Sequence, residues 1–257
     1  PLEFGLYAAD PAKGFFPSPG VLPPLTLPAA SGHVRVDTGV RSGDEVTMFY
    51  DPMIAKVIAW GSDRADAIRH LSRAISDIEV IGLKTNAAFL GEVARHPAFR
   101  AGELDTAFIE RHQDDLVPQV EAIDAEVLAL TALYTLLVEN AAHAESHDPF
   151  ATTDGWRLNA PKPVLTHPMA FESTDGLHAL LVGFSKDGFV VEAEGETLSL
   201  SGQLLDGGNT LSALIGDKRL DVAVRTFGSA IHLFRDGRLY ELERIDPVDV
   251  TGEDEAG

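Results

Sequence analysis

Cysteine is absent from the 257 residues. Disulfides, thiolate nucleophiles and cysteine-ligated zinc are therefore excluded together, and the chain suits a reducing compartment. Basic residues are scarce. Against 40 Asp and Glu stand 20 Lys and Arg, a formal net charge of -20, so no cationic face is available to neutralise phosphates and nucleic acid is not expected as a partner. No apolar run reaches the ~18 residues that cross a bilayer, so no membrane partner is expected either. The self-contained catalytic signatures are missing as well, with no Walker lysine loop, no GxGxxG, no GxSxG elbow and no HExxH. The chain opens at Pro1 with neither Met nor a signal pattern and enters at once on a strand-like Leu2–Tyr7, which leads us to expect a fragment.

What is present organises into two domains, as the length also predicts. The first forty residues are dense in Pro and Gly, which rules out long helix and imposes a fixed, turning loop. From His33 to Gly39, Val34, Val36 and Thr38 alternate with Arg35 and Asp37, a half-buried strand that projects Arg35 opposite an apolar face. Ile54 to Trp60 reads as another strand. Ser62 or Asp63 caps a helix whose apolar positions are Ala67, Ile68, Leu71, Ala74, Ile75 and Ile78, stopped in the region of Gly82. Thr85 or Asn86 starts a second helix that His96-Pro97 ends, and a short amphipathic stretch follows from Leu104 to Ile109. A stripe from Leu116 through Val120, Ile123, Val127, Leu130 and Tyr134 to Val138 predicts one helix of roughly 28 residues. After Asp148-Pro149 the chain turns to eight alternating runs, Val164–Phe171, Leu177–Phe184, Phe189–Ala193, Thr197–Leu205, Thr210–Ile215, Leu220–Val224, Ala230–Phe234 and Leu239–Leu242. Asp-Gly, Glu-Gly and Gly-Asp pairs separate several of them, which predicts an antiparallel barrel or sandwich of hairpins. The fold class is α+β followed by all-β, with domains at 1–112 and 113–246 and an acidic tail at 247–257.

Few residues stand out as chemistry. Arg35 is either paired structurally with a neighbour such as Asp37 or aimed at an anionic group, since a guanidinium forms two directed hydrogen bonds with a carboxylate or bicarbonate and keeps its proton. Lys56 reads as a solvated or paired strand lysine. His143 and His147 could face one metal but stand where cations offset the negative end of the helix dipole, so no metal site is assigned.

Several segments together resemble a family. Tyr7-Ala8-Ala9-Asp10-Pro11, Phe16-Pro17-Ser18-Pro19-Gly20, His33-Val34-Arg35-Val36-Asp37, Phe49 to Lys56, Gly82-Leu83-Lys84-Thr85-Asn86 and Phe99-Arg100-Ala101-Gly102 follow one another as in the C-terminal lobe of biotin carboxylase, over roughly residues 1 to 112. Asp148-Pro149-Phe150 and Asp154-Gly155-Trp156-Arg157-Leu158-Asn159 resemble the linking (BT) domain of 3-methylcrotonyl-CoA carboxylase α subunits, a long helix with an eight-stranded barrel. The resemblance implies a ligase of leucine catabolism. In it ATP and bicarbonate give carboxyphosphate, biotin on a carrier domain is carboxylated, and a carboxyltransferase β subunit passes the carboxyl to an acyl-CoA.

Biotin, together with ATP and Mg or Mn in the complete subunit, are the cofactors this implies, and a hetero-oligomer with the β subunit and the carrier domain is the assembly. Arg35 matches the arginine that contacts the biotin ureido oxygen and bicarbonate and stabilises the developing enolate, while Asp37, Tyr50 and Asp51 match positions of orientation and folding. Departures are equally plain. The ATP-grasp lobe and a Met-Lys-Met biotinylation site have no counterpart, and Gly5 stands where the family usually has Arg, so the chain alone is expected to be inactive. The alternatives are a propionyl-, geranyl- or acetyl-CoA carboxylase α subunit, or a scaffold without catalysis. A bacterial cytoplasm, or else the mitochondrial matrix, is the expected location.

Overall fold

A computed structural model describes residues 1–22, 25–117, 123–144, 165–185, 188–235 and 237–245. Two compact units are built on Pro1–Glu121 with Arg235–Leu239 and on Ala122–Phe234 with Tyr240–Gly257. In the first, β1 (Leu2–Tyr7), β2 (Val34–Thr38) and β3 (Met53–Ala59) form an antiparallel sheet with β3 in the middle. The proline-rich stretch is held by two-residue bridges, Ala9–Asp10 with Phe16–Pro17, Gly20–Val21 with Glu45–Val46 and Leu25–Thr26 with Glu79–Val80. The segment is thus fixed by backbone pairing where proline forbids helix.

Helix α1 (Arg64–Ser76) starts at Asp63, whose carboxylate accepts the Asp66 N–H at 2.8 Å, so of the two candidate caps Asp63 is the one used. Its buried face is Ala67, Ile68, Leu71, Ala74 and Ile75. Ile78 is buried too, but from beyond the helix end, just before the Glu79–Val80 bridge. Helix α2 (Ala87–Arg95) runs into His96, whose extended backbone (φ -61°, ψ 131°) precedes Pro97 as the steric rule requires. Leu6, Ile54, Val57, Leu71, Ile75 and Leu90 meet in the core between these helices and the inner side of the sheet. Burying each such side chain stabilises by ~1.5–3 kcal/mol.

The single helix predicted from Leu116 is broken in the structure. Leu116 closes a separate short helix, Gln113–Leu116, and packs in the first unit's core. Val117 is extended (φ -78°, ψ 114°) because Pro118 follows it. The long helix, α3 (Ala125–Ala144), begins where the Asp124 carboxylate accepts the Val127 N–H at 2.7 Å, and its 20 residues span ~30 Å instead of the ~42 Å expected. Every residue from Val127 to Leu136 is buried, so the helix is covered all round and does not present a single stripe. Contrary to the sequence reading, Ala125–Ala142 does have the length and hydropathy of a membrane span, but 61% of that window is buried in the protein, as in a core helix.

Around α3 runs a closed barrel of β4 (Leu165–Ser173), β5 (Gly176–Ser185), β6 (Gly188–Ala193), β7 (Glu196–Leu205), β8 (Thr210–Ile215), β9 (Lys218–Phe227), β10 (Ala230–Arg235) and β11 (Arg238–Ile245), with β11 pairing back onto β4. All eight runs expected from alternation are strands. The β6–β7 turn places Glu194 (φ 50°) and Gly195 (φ 78°) in the left-handed region, the condition of a tight hairpin. Gly202 on β7 leaves no room for a side chain between its neighbours on the wall and the helix. A Cβ there would lie 2.6 Å from the Ser212 carbonyl oxygen and 3.1 Å from Leu133 Cδ2 of α3. The two buried threonines of α3 satisfy their hydroxyls inside the helix, Thr131 on the Val127 carbonyl and Thr135 on that of Thr131. His147, the Asp148-Pro149-Phe150 and Asp154–Asn159 segments, the tail and the side chain of His143 lie outside the described residues.

Candidate functional site

The three-stranded sheet has one apolar and one polar side. Val34, Ala55, Val57 and Ala59 face the core, while Arg35, Asp37 and Lys56 are exposed on the other side. Strand register sets the polar side in rows. Glu3, Ile58 and Arg35 lie across the three strands in one row, and Gly5, Lys56 and Asp37 in the next. Period two in Leu2–Tyr7 puts Glu3, Gly5 and Tyr7 on the face of Arg35, and the strand register then brings Glu3 to Lys56.

Each cation on this face has its own carboxylate. Arg35 Nη2 donates to Asp37 Oδ2 at 2.7 Å, and Lys56 Nζ donates to Glu3 Oε1 at 2.9 Å. The hydrogen bond and charge of Asp37 raise the Arg35 pKa above its ordinary value, and Glu3 does the same for Lys56. The structure shows the paired alternative for Arg35, with only Nη2 of its guanidinium engaged by a side chain among the described residues and the side chain 64% exposed. Among the described residues its other N–H groups bond no side chain, and they form the edge of a fork that matches a planar two-oxygen anion or a carbonyl oxygen. Tyr50 lies away from the core, with Phe49 and Met48 beside it, all three strongly exposed.

Below this face Asn86 stitches α2 to β1. Its Oδ1 accepts the Tyr7 N–H at 2.8 Å and its Nδ2 donates to the Gly5 carbonyl at 3.0 Å. Asn86 is buried, so these bonds replace water for its amide and for two backbone groups of the strand. The sequence marked Asn86 as a candidate helix start and as part of the Gly82–Asn86 segment, with no sign of its bond to β1.

Two further clusters escaped the sequence reading, because their members are distant in the chain or masked by ordinary turn signals. His96, His112 and Asp115 bring possible ligand atoms within 4.8 Å of one another. His96 Nδ1, however, accepts the Ala98 N–H at 3.3 Å. A neutral ring in that role carries its proton on Nε2 and has no second lone pair for a metal, so the arrangement fits a helix cap. In the second unit, buried His178 lies between Asp175 (Nε2 to Oδ1, 3.0 Å) and Glu194 (Nδ1 to Oε1, 3.4 Å), with Ser173 Oγ 3.1 Å from Nε2. Asp175 also contacts Ser173 and accepts the Ile123 N–H at 3.0 Å. Partial burial opposes ionisation of Asp175, but these donors win and hold its pKa at about 2.

Family comparisons divide the chain at the same place as its architecture. Residues 3–111 match the model of the biotin carboxylase C-terminal domain, and residues 124–247 match that of the methylcrotonyl-CoA carboxylase alpha-subunit BT domain. The chain belongs to the α subunits of biotin-dependent carboxylases. The methylcrotonoyl-CoA carboxylase subunit alpha of Dictyostelium discoideum is 32% identical over 98% of this chain and 38% of its own length. That of Mus musculus is 32% identical over 90% and 33%. A biotin carboxylase of Halalkalibacterium halodurans is 45% identical over 43% of this chain and 24% of its own. The chain therefore spans between a third and two fifths of the first two relatives. Within this α-subunit family, a protein named only as biotin carboxylase shares under half of the chain, and the second unit matches a model named for methylcrotonyl-CoA carboxylase.

Proposed function

We propose that the chain supplies the arginine wall of a biotin carboxylase active site and the module by which an acyl-CoA carboxylase α subunit docks onto its carboxyltransferase β subunit. The observation that carries this reading is Arg35, fixed on a strand by Asp37 through Nη2 alone and open along the rest of its fork. That open edge fits a ureido oxygen or bicarbonate, both of which accept in-plane hydrogen bonds. Biotin on a carrier domain supplies the nucleophilic ureido nitrogen, and ATP with Mg or Mn supplies activation of bicarbonate. Arg35 orients the acceptor and holds negative charge as it develops on oxygen, and it does so without giving up a proton. Lys56 adds positive potential in the adjoining row. The described residues do not fit the nucleotide's metal: the candidate metal-holding group among them, His96 with His112 and Asp115, is mostly nitrogen and includes a helix cap, whereas Mg demands oxygen ligands. No step of the nucleotide chemistry is assigned to this chain.

A methylcrotonyl-type substrate is favoured by the second-unit match and by the names of the long relatives. A propionyl-, geranyl- or acetyl-CoA carboxylase is the runner-up. Reducing surroundings, either a bacterial cytoplasm or the mitochondrial matrix, suit a chain without cysteine. For docking, the closed barrel around α3 offers a self-contained folded module, and sedimentation of the chain mixed with the β subunit tests it: a folded chain that forms no complex moves docking elsewhere. For the arginine, the test is Arg35→Lys in an α subunit that carries this chain. A point charge replaces a fork, so biotin carboxylation falls by two to three orders of magnitude, ~3–4 kcal/mol, while the KM for ATP and the circular dichroism hold. A near-normal rate leaves Arg35 as a surface ion pair.

A further inference from the structure

We propose that the outer face of β4, β5 and β6 is the surface on which the carboxyltransferase β subunit seats, and that the segment it offers is amphipathic and basic, with apolar side chains flanked by Lys or Arg. The proposal rests on the docking reading and names the surface and the chemistry of what covers it. Inward residues of these strands, Phe171, Leu180, Val182 and Ala193 among them, belong to the core around α3. Period two then turns Pro168, Ala170, Leu177, Ala179 and Leu181 outward, to the side where polar residues are the rule, and none of the five belongs to a core cluster. Leu177 and Leu181 are 47% and 40% exposed. Register sets the face in rows. Pro168, Leu181 and Glu192 lie across the three strands, and Ala170 stands opposite Ala179 in the next row. An alanine between two leucines on β5 leaves a dip, and this dip is the floor of a groove of about 370 Å3.

The rim fixes the sign of the partner. Glu192 and Glu194 border the groove, and none of the described residues lining it is basic. On the other side Glu172 of β4 and Glu243 of β11 are exposed cross-strand neighbours. Two carboxylates directly opposite each other repel and cost the sheet stability, and a cation seated between them removes that cost. An acidic rim on a chain of net charge -20 turns away a second copy and an anionic lipid surface alike. It draws in a basic partner, while the leucines provide the apolar contact that holds it. The closed barrel offers no edge for strand addition, so the segment is received by side chains in the groove and no strand has to move.

Sedimentation of the full chain with the β subunit, at low and at high salt, tests this. Leu181→Ser should weaken the complex about tenfold or more, the loss expected when an apolar anchor leaves an interface. Glu172→Gln should weaken it about threefold and flatten its salt dependence. Because that substitution also relieves the repulsion from Glu243, the barrel itself should melt no lower than the parent. Binding lost at undiminished stability separates a contact from a folding defect. Leu214→Ser removes an exposed leucine of β8 that does not line the groove, and it should leave the complex unchanged. Circular dichroism reports whether each variant is folded. An undiminished complex with folded Leu181→Ser, or an equal loss from Leu214→Ser, overturns the groove and leaves docking to another face. No complex with the parent chain removes the docking reading and the groove with it. A parent chain that sediments alone as a dimer, dispersed by Leu181→Ser, gives the groove to a second copy and overturns the proposal.

Discussion

Asp175 offers a test of the second unit with a defined pH signature. Its carboxylate ties the β4–β5 turn to Ser173 and His178 and accepts the Ile123 N–H just ahead of α3. With the pKa lowered from 3.8 to about 2, the linkage ceiling is ~1.8 × 1.36, or about 2.5 kcal/mol. One fifth of the side chain remains accessible, and solvent screening brings the expected contribution to ~1–2 kcal/mol. Because the folded pKa is depressed, this stability is fully present above about pH 4 and is lost as pH falls through 2. Asp175→Asn should therefore unfold at lower urea than the parent at pH 6. The gap should close progressively between pH 4 and pH 2, as the parent's own carboxylate protonates. Urea titrations across that range, followed by circular dichroism, measure it. A gap that is constant with pH refutes the electrostatic account and leaves only the lost shape of the side chain.

Three other substitutions probe the packing. Gly202→Ala pushes a methyl against the Ser212 carbonyl and Leu133, and since backbone must give way it should cost ~1–3 kcal/mol, read as a fall in the barrel's melting temperature. Leu133→Ala opens a cavity on the fully buried helix and should cost ~2–5 kcal/mol in denaturant unfolding. Asn86→Ala strands the Tyr7 N–H and the Gly5 carbonyl, should cost ~1–3 kcal/mol, and should expose the Tyr7 amide to faster hydrogen exchange.

The barrel was legible because hairpin turns announce themselves: paired Gly with Asp or Glu separates several of the runs, their alternation persists for four residues or more, and the described residues of every run are strand. Arg35 was legible for the same reason, since period two alone puts it opposite Val34 and Val36. What period cannot convey is partnership across the chain. The pairs Glu3–Lys56 and Asn86–Tyr7 join residues 53 and 79 positions apart, and only register brings them together. The long helix was misjudged for a local reason. The apolar spacing continues from Leu116 to Val138, but Pro118 and the Asp124 cap override it, so a pattern that looks like one stripe belongs to two elements in two cores. The His178 cluster hid in a turn, where Ser, Asp and Gly read as ordinary hairpin residues.

The two units meet their polar requirements in opposite ways, and the contrast bears on where binding is to be sought. In the barrel two acidic groups of α3 fasten it to the wall, Glu126 on Lys218 and Glu139 on Arg244. The hydroxyls of Thr131 and Thr135 turn back onto the helix, and the walls close without an edge. Such a unit has little reason to rearrange. The sheet of the first unit keeps its balance differently: two cations and two carboxylates lie side by side on an open face, neutral as a set, each held by a partner that an incoming anion could replace. Pairing of this exposed kind contributes little to stability. Asp37 and Glu3 are thus better understood as holding Arg35 and Lys56 in place than as holding the fold together, and a ligand that displaces Asp37 from Arg35 would give up little in doing so.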